Sequence, residues 1–117
     1  MPSARSDLVA CLCAEWCGVC RDYAAPFHAL AAQWPQARFA WIDIEDEAEL
    51  LGSLEVENFP TLLIARAGQP VLFGPLLPQP GTLERLLRAC LTTPEAPAAL
   101  ADPAVHALAA RLQQREA

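Results

Sequence analysis

An apolar segment that ends just before two closely spaced cysteines is the feature that most restricts the fold of this chain. Residues 8–14 read LVACLCA, a continuous apolar run with the length of one strand. Such a run predicts a buried central strand that lies parallel to a neighbour. From about Cys17 to Trp34, apolar residues recur at three- and four-residue spacings, which predicts a helix. A buried strand followed directly by a helix indicates a layered α/β fold.

The rest of the chain continues this alternation of strands and helices. The patterns predict strands at 38–44, 61–65 and 71–73, and helices at 45–54, 82–91 and 103–115. A strand–helix–strand unit gives a parallel pair by right-handed crossover, and the turn at Gly68 adds an antiparallel pair. We therefore expect one mixed sheet with helices packed on it. Residues 1–91 are predicted as one domain, and 92–117 as a linker rich in Pro and Ala followed by a C-terminal amphipathic helix.

Charge and cysteine content restrict the classes of partner and compartment. The chain has 117 residues and a net charge of −6. An acidic chain repels phosphate backbones and anionic lipids, so we expect neither nucleic acid nor a membrane as a partner. Residues 1–7 lack the apolar stretch of a secretion signal, and we expect a cytoplasmic location. In that reducing compartment, clustered cysteines more often serve catalysis or metal binding than structural disulfides.

Cys17 and Cys20 are separated by two residues at the predicted junction between strand and helix. Two cysteines in a first helical turn can close a small disulfide ring. The partial positive charge of the helix N-terminus favours the thiolate form of Cys17. Cys20 lies one turn further into the helix and is expected to be more buried. This placement predicts Cys17 as the attacking nucleophile and Cys20 as the thiol that resolves a mixed disulfide.

Two motifs together resemble the thioredoxin family. Trp16-Cys17-Gly18-Val19-Cys20 after an apolar strand is similar to the family's active site. About forty residues later, Phe59-Pro60-Thr61 opens a strand and resembles the family's Pro-Thr signature, whose proline is cis and faces the cysteine pair. The resemblance covers about residues 8–91. It implies a thioredoxin-like mixed β-sheet sandwiched by helices, and a protein-disulfide reductase with a redox-active Cys17–Cys20 pair, no other cofactor and no metal.

The same resemblance implies the partners and the residues that contact them. Protein disulfides would be the substrates, and an upstream thiol reductase would return the electrons. The expected substrate-binding residues are Trp16, Gly18, Val19, Phe59 and Pro60. Two of these have a purely structural alternative. Pro60 can simply begin a strand, where proline is tolerated, and the Trp16 ring can simply cover the sheet edge.

The N-terminal part of the chain departs from the family pattern. The family usually has a strand and a helix before the active-site strand, but only about seven residues precede it here. We expect the helix at 103–115 to occupy the vacant place, because its apolar stripe must be buried. The missing strand would leave the strand containing Phe39 and Ile44 at an edge of the sheet. An exposed edge invites pairing with another chain, so a homodimer through this strand is a hypothesis.

The residues that usually assist proton movement also differ. The family commonly has a buried Asp and a nearby Lys beneath the second cysteine, and these positions correspond to Cys11 and Trp41. Neither residue supplies a carboxylate base or its ammonium partner. The resemblance therefore implies slower chemistry, or chemistry with Glu15 or water as the proton acceptor. Val19 replaces the proline of typical thioredoxins, which is expected to shift the reduction potential.

Cys11 and Cys13 leave alternatives open. They lie two residues apart in a strand, so they share a face, which in this fold lies under the active-site helix. We favour the interpretation that they act as small apolar residues, and we expect the same of Cys90 in the late helix. The alternatives are an auxiliary thiol near Cys20, or a soft metal or iron–sulfur site formed by Cys11, Cys13, Cys17 and Cys20. A separate alternative for the whole chain is an interaction module, in which the fold is retained as a subunit or chaperone.

Overall fold

The computed structural model describes residues 7–14, 18–52, 54, 56, 60–76, 79, 81–94 and 98–115. In chain order the elements are β1 (Asp7–Cys13), α1 (Gly18–Gln33), β2 (Ala37–Asp43), α2 (Ala48–Leu51), β3 (Thr61–Arg66), β4 (Gln69–Pro75), α3 (Thr82–Leu91) and α4 (Pro103–Arg115). Every predicted strand and helix is confirmed, with ends that shift by a few residues. The largest change is in α2, which is much shorter than the predicted helix at 45–54.

The four strands form one mixed sheet in the order β2-β1-β3-β4. β1 runs parallel to β2 and antiparallel to β3, and β3 runs antiparallel to β4. The predicted crossover and hairpin are therefore both confirmed. Within the described sheet β2 lies at an edge, as expected. Because β3 runs opposite to β1, Thr61 pairs with Leu12 at the end of β1 from which the chain continues towards α1.

Alternation along β1 divides the protein into two apolar layers. Val9, Cys11 and Cys13 face one side, where they join buried residues of α1 and α3. Leu8, Ala10 and Leu12 face the other side, where they join Leu51 of α2 and the buried residues of α4. This division follows from the two-residue period of a strand, and it makes β1 the centre of both layers.

Helix α4 packs on the sheet face that also carries α2. Its apolar stripe is 0–3% exposed and consists of Val105, Leu108, Ala109 and Leu112. Two arginine side chains form hydrogen bonds that connect the helix to α2 and β2. Arg111 Nη1 donates to the carbonyl oxygen of Leu50 at 2.8 Å, and Arg38 Nη2 donates to that of Leu112 at 2.7 Å. The expectation that residues 103–115 would bury their stripe against the sheet is therefore confirmed.

Local signals explain where α4 and the hairpin begin. Asp102 Oδ1 accepts the backbone N–H of Ala104 at 2.9 Å, and Pro103 occupies the first helical position, where no N–H is needed. Ala67 and Gly68 both have positive φ, at 53° and 88°, which is the geometry of a tight hairpin turn between β3 and β4. Among the described residues, no helix is both long enough and apolar enough to cross a bilayer.

Candidate redox site

The described part of the cysteine motif is its second half. Gly18 is the first residue of α1 and is exposed, Val19 is 46% exposed, and Cys20 is only 1% exposed. The expected burial of Cys20 is therefore confirmed. Trp16 and Cys17, like Glu15, lie outside the described residues, so their predicted roles stay predictions.

The first turns of α1 hold Cys20 in place by packing. Cys20, Tyr23 and Phe27 follow one another at helical spacing and are the buried residues of this helix. They belong to the same apolar layer as Cys11 and Cys13 of β1. The thiol of Cys20 is thus fixed at the top of a packed layer, close to the end of β1, while the two residues before it face solvent.

Pro60 lies in the bend that leads into β3, and its side chain is fully buried. Its carbonyl oxygen accepts the backbone N–H of Leu76 at 2.9 Å, which ties the bend to the end of β4. Because β3 is antiparallel to β1, Pro60 is at the same end of the sheet as Cys13 and the start of α1. Phe59 lies outside the described residues. The contact of this loop with a substrate stays a prediction.

Two thiols and a phenol lie together under α1. The Sγ atoms of Cys11 and Cys13 are 3.6 Å apart, and both residues are almost fully buried. The expectation that they share a face under α1 is confirmed. Burial raises the pKa of Tyr23, and the neighbouring thiol groups of Cys11 and Cys13 raise it further. Tyr23 therefore stays neutral in the folded protein over the physiological range.

Cys90 on α3 is 6% exposed, which confirms its expected core position. Burial raises the pKa of its thiol, and Arg66 acts in the opposite direction. Among the residues that the structure describes, no group of three or more His, Cys, Asp and Glu side chains is arranged to hold a metal. Cys17, the fourth member of the predicted thiolate set, is outside that part of the chain.

Cys11 and Trp41, which the family resemblance predicts in place of the proton relay, are neighbours in the sheet. Cys11 and Trp41 pair across β1 and β2. The Trp41 ring packs edge-on against Phe27, with ring centroids 5.5 Å apart, and its centroid is 6.0 Å from that of His28. A thiol and an aromatic ring thus lie side by side at the two positions where the resemblance predicts the relay to be missing.

A cleft of about 330 Å³ opens beside Cys20. Its described lining residues are Ala14, Cys20, Arg21, Ala24, Trp41 and Asp43. Sequence reasoning gave no role to Asp43, which is the last residue of β2. A usable signal was present, because strand alternation puts Asp43 on the same face as Phe39 and Trp41. Asp43 Oδ1 accepts the backbone N–H groups of the next turn, from Glu45 at 2.9 Å and from Asp46 at 3.4 Å.

Comparison with known proteins agrees with this geometry. Residues 3–73, more than half of the chain, match the family model for Thioredoxin. The chain belongs to the thioredoxin family. The matched range spans the chain positions of the cysteine motif and of Pro60. The chain is 34% identical over 58 residues to Thioredoxin-1 of Saccharomyces cerevisiae, covering 50% of this chain and 56% of that protein. It is also 34% identical over 70 residues to a putative thioredoxin 2 of Streptomyces coelicolor, covering 60% and 48%.

Solved thioredoxin structures share the fold over a longer stretch. The thioredoxin of Fasciola hepatica superposes with a TM-score of 0.65 and 25% identity, covering 74% of this chain and 83% of that one. The thioredoxin of Trypanosoma brucei brucei gives a TM-score of 0.61 and 30% identity, covering 74% and 76%. In the sequence comparisons, the chain spans only about half the length of the relatives it matches.

Proposed function

We propose that this thioredoxin-family chain is a thiol–disulfide oxidoreductase of the protein-disulfide reductase type. The observation that carries the proposal is the placement of Cys20, buried in the first turn of α1 directly after the exposed Gly18 and Val19. A buried thiol that follows a solvent-exposed segment has the placement expected of the resolving cysteine in thiol–disulfide exchange. Cys17 directly precedes Gly18 in the chain, so the sequence offers the matching nucleophile at the helix N-terminus.

The proposed reaction is a two-step exchange. The thiolate of Cys17 attacks one sulfur of a substrate disulfide, and the other substrate sulfur leaves as a thiolate. Cys20 then attacks the Sγ atom of Cys17 in the mixed disulfide, which releases the second substrate sulfur and closes the Cys17–Cys20 disulfide. Two electrons pass to the substrate. An upstream thiol reductase opens the disulfide again by the same chemistry in reverse.

The surroundings of the cysteine motif support a protein as the substrate. Val19 is an exposed large apolar residue next to Cys20, and an extended segment of another protein could pack on it. We include Trp16, Gly18, Phe59 and Pro60 in the same contact surface. The proposed location is the cytoplasm, because the thiol pools of that compartment favour the reduced pair. A homodimer through the edge of β2 is part of this proposal.

Reduction of insulin with a thiol donor tests the proposed activity. The wild-type chain should accelerate precipitation of the insulin B chain, and Cys17→Ser should abolish that acceleration. Cys20→Ser should instead accumulate a mixed disulfide, visible by mass spectrometry, because the resolving thiol is absent. Cys90→Ala is the matched control, because it removes a buried cysteine of another helix. Wild-type protein that does not accelerate the reaction, or activity that survives Cys17→Ser, would refute the proposal.

A further inference from the structure

The cleft beside Cys20 offers a carboxylate where the usual proton relay is missing. Asp43 and Cys20 line the same cleft, which the structure places between the start of α1 and the end of β2. A water molecule takes up about 30 Å³ in the liquid, so the cleft has room for several. From this geometry we propose that Asp43 accepts the proton of Cys20 through water in the cleft. The inference rests on the proposed exchange chemistry and assigns its proton acceptor.

The position of Asp43 is fixed by its own hydrogen bonds. Its carboxylate holds the turn after β2 through Oδ1, which accepts the N–H groups of Glu45 and Asp46. In addition, the N–H of Ile44 donates to the carbonyl oxygen of Cys13 at 2.9 Å, which keeps the end of β2 against β1. Within the described residues both hydrogen bonds of this carboxylate are made by Oδ1, which leaves Oδ2 to accept a proton. The residue is thus a fixed base and not a mobile surface acid.

The proposed step balances within the exchange reaction. As Cys20 attacks the Sγ atom of Cys17 in the mixed disulfide, its proton passes through water to Asp43 Oδ2. The Cys17–Cys20 bond forms, and the substrate sulfur leaves with the electron pair of the broken bond. Since a carboxylate is a weaker base than a thiolate, the transfer occurs as the new S–S bond forms and not before it. Arg21 of α1 lines the same cleft.

Other titratable groups lie near the cleft, and their effects on the pH dependence must be distinguished from that of Asp43. Across the sheet, Cys13 pairs with Asp43 itself, and the ring of His28 lies near that of Trp41. Glu45 and Asp46 follow in the turn. Among the described residues, the titratable groups near the cleft are Arg21 in its lining, Tyr23, Cys11, Cys13 and Cys90 in the apolar layer beneath α1, His28 beside Trp41, and Glu45 and Asp46 in the turn after β2. His28 is the member whose type ordinarily titrates near neutral pH.

Asp43→Asn separates the proton-accepting role from the structural one. The amide keeps an oxygen that can accept the N–H groups of Glu45 and Asp46, but it has no basic atom for the thiol proton. The reduced protein is mixed with dithionitrobenzoate, and the second release of the coloured thiolate reports the attack of Cys20. Near neutral pH this rate should fall about tenfold or more in Asp43→Asn, and the difference should close as the pH rises past the ordinary thiol pKa of about 8.5.

Variants of the neighbouring titratable groups serve as controls for the Asp43→Asn experiment. Asp46→Asn removes an exposed carboxylate of the same turn, and His28→Asn removes the neighbouring imidazole, so both should keep the wild-type pH profile. Asp43→Ser keeps a turn acceptor of different shape and should reproduce the loss, which tests the base if Asp43→Asn folds poorly. An unchanged profile in a folded Asp43 variant would overturn the inference while leaving the proposed function intact. Absence of the second release in wild type would refute the proposed function itself.

Discussion

The ionisation of Tyr23 is a probe of how tightly the apolar layer under α1 is packed. It is the single tyrosine of the chain and is 5% exposed. Burial raises its pKa above the ordinary value of about 10, and Cys11 and Cys13 raise it further. Between the ordinary and the raised pKa the unfolded chain loses the phenolic proton while the folded chain keeps it. The stability that the neutral phenol contributes is therefore complete below about pH 10 and is lost as the pH rises above it.

An alkaline titration tests this prediction, because tyrosinate absorbance here comes from one residue. We expect no ionisation in the folded protein near pH 10, and a steep rise in absorbance that coincides with unfolding at higher pH. Each midpoint of urea unfolding is expressed relative to that of the same protein at neutral pH. Between about pH 9 and about pH 11 this relative midpoint should fall less in Tyr23→Phe than in the wild-type protein. Ordinary titration near pH 10 with an unchanged circular dichroism spectrum would contradict the burial of the Tyr23 phenol.

The burial of individual residues could be predicted from local periodicity, but the cleft could not. The two-residue period of β1 and the helical period of α1 placed Cys11, Cys13 and Cys20 correctly, because each pattern depends only on nearby residues. Asp43 lines the same cleft as Cys20 only because α1 crosses over to β2, so its position depends on how β2 pairs with β1. Strand alternation gives the face of β2 on which Asp43 lies, but the register between β2 and β1 is a tertiary property that this local signal does not give.

Helix α4 is stabilised mainly by the burial of its apolar stripe against the sheet and α2. Leu108 is 0% exposed in the layer shared by α2 and α4. Leu108→Ala should lower the free energy of unfolding by about 2–5 kcal/mol, because it removes buried methyl groups and leaves a cavity. Gln114→Ala, on the exposed side of the same helix, should change it by less than about 0.5 kcal/mol. Urea unfolding followed by circular dichroism measures both values. Equal small effects would mean that α4 leaves the sheet in solution.

The β3–β4 hairpin contains a strained residue that can be relieved. Ala67 has a φ of 53°, a left-handed conformation that costs an ordinary residue about 1–2 kcal/mol. Asn tolerates this conformation, and Asn-Gly is the preferred pair for such a turn. Ala67→Asn should therefore raise the free energy of unfolding by up to about 1 kcal/mol, while Ala67→Val should lower it because the side chain is β-branched. Thermal unfolding of the pair tests the prediction, and the reverse order would contradict it.

The difference at α2 shows how a turn can shorten a predicted helix. The acidic segment after β2 has helical composition, yet Asp43 Oδ1 binds the N–H groups of Glu45 and Asp46 and holds a turn there. The helix begins only at Ala48, and at its other end Gly52 adopts a φ of 57°. A side chain that accepts backbone N–H groups in place of a helix carbonyl is a local sequence signal. Asp43 succeeds in this competition because the end of β2 holds it in place, which the local sequence does not show.

For the whole molecule, the order of strands was predictable and the place of α4 was predictable only in part. The crossover rule and the hairpin define how β1, β2, β3 and β4 can be arranged. The composition of α4 shows that one face must be buried, but the segment at 92–101 could lead it to either side of the sheet. The side shared with α2 is selected by packing and by the hydrogen bonds of Arg38 and Arg111.

The edge of β2 is the place where two copies could join. The N–H of Ile44 points inward to Cys13, so strand alternation turns the N–H groups of Phe39 and Trp41 outward, away from β1. Twofold pairing of two β2 strands would give these two N–H groups acceptors from the other copy. Each chain carries a net charge of −6, so the copies repel each other at low ionic strength. Added salt should therefore strengthen the dimer.

Hydrogen exchange and solution scattering test the dimer together. The radius of gyration of 13.3 Å matches the value of about 13 Å expected for one folded chain of this length, and a dimer should exceed it. Raising protein and salt concentration should increase the radius and slow exchange at the N–H groups of Phe39 and Trp41. The N–H of Ile44, already bonded to Cys13, serves as the internal control and should not change. A constant radius with constant exchange at Phe39 and Trp41 would rule out this edge as the interface, because strand pairing cannot form without using these two donors.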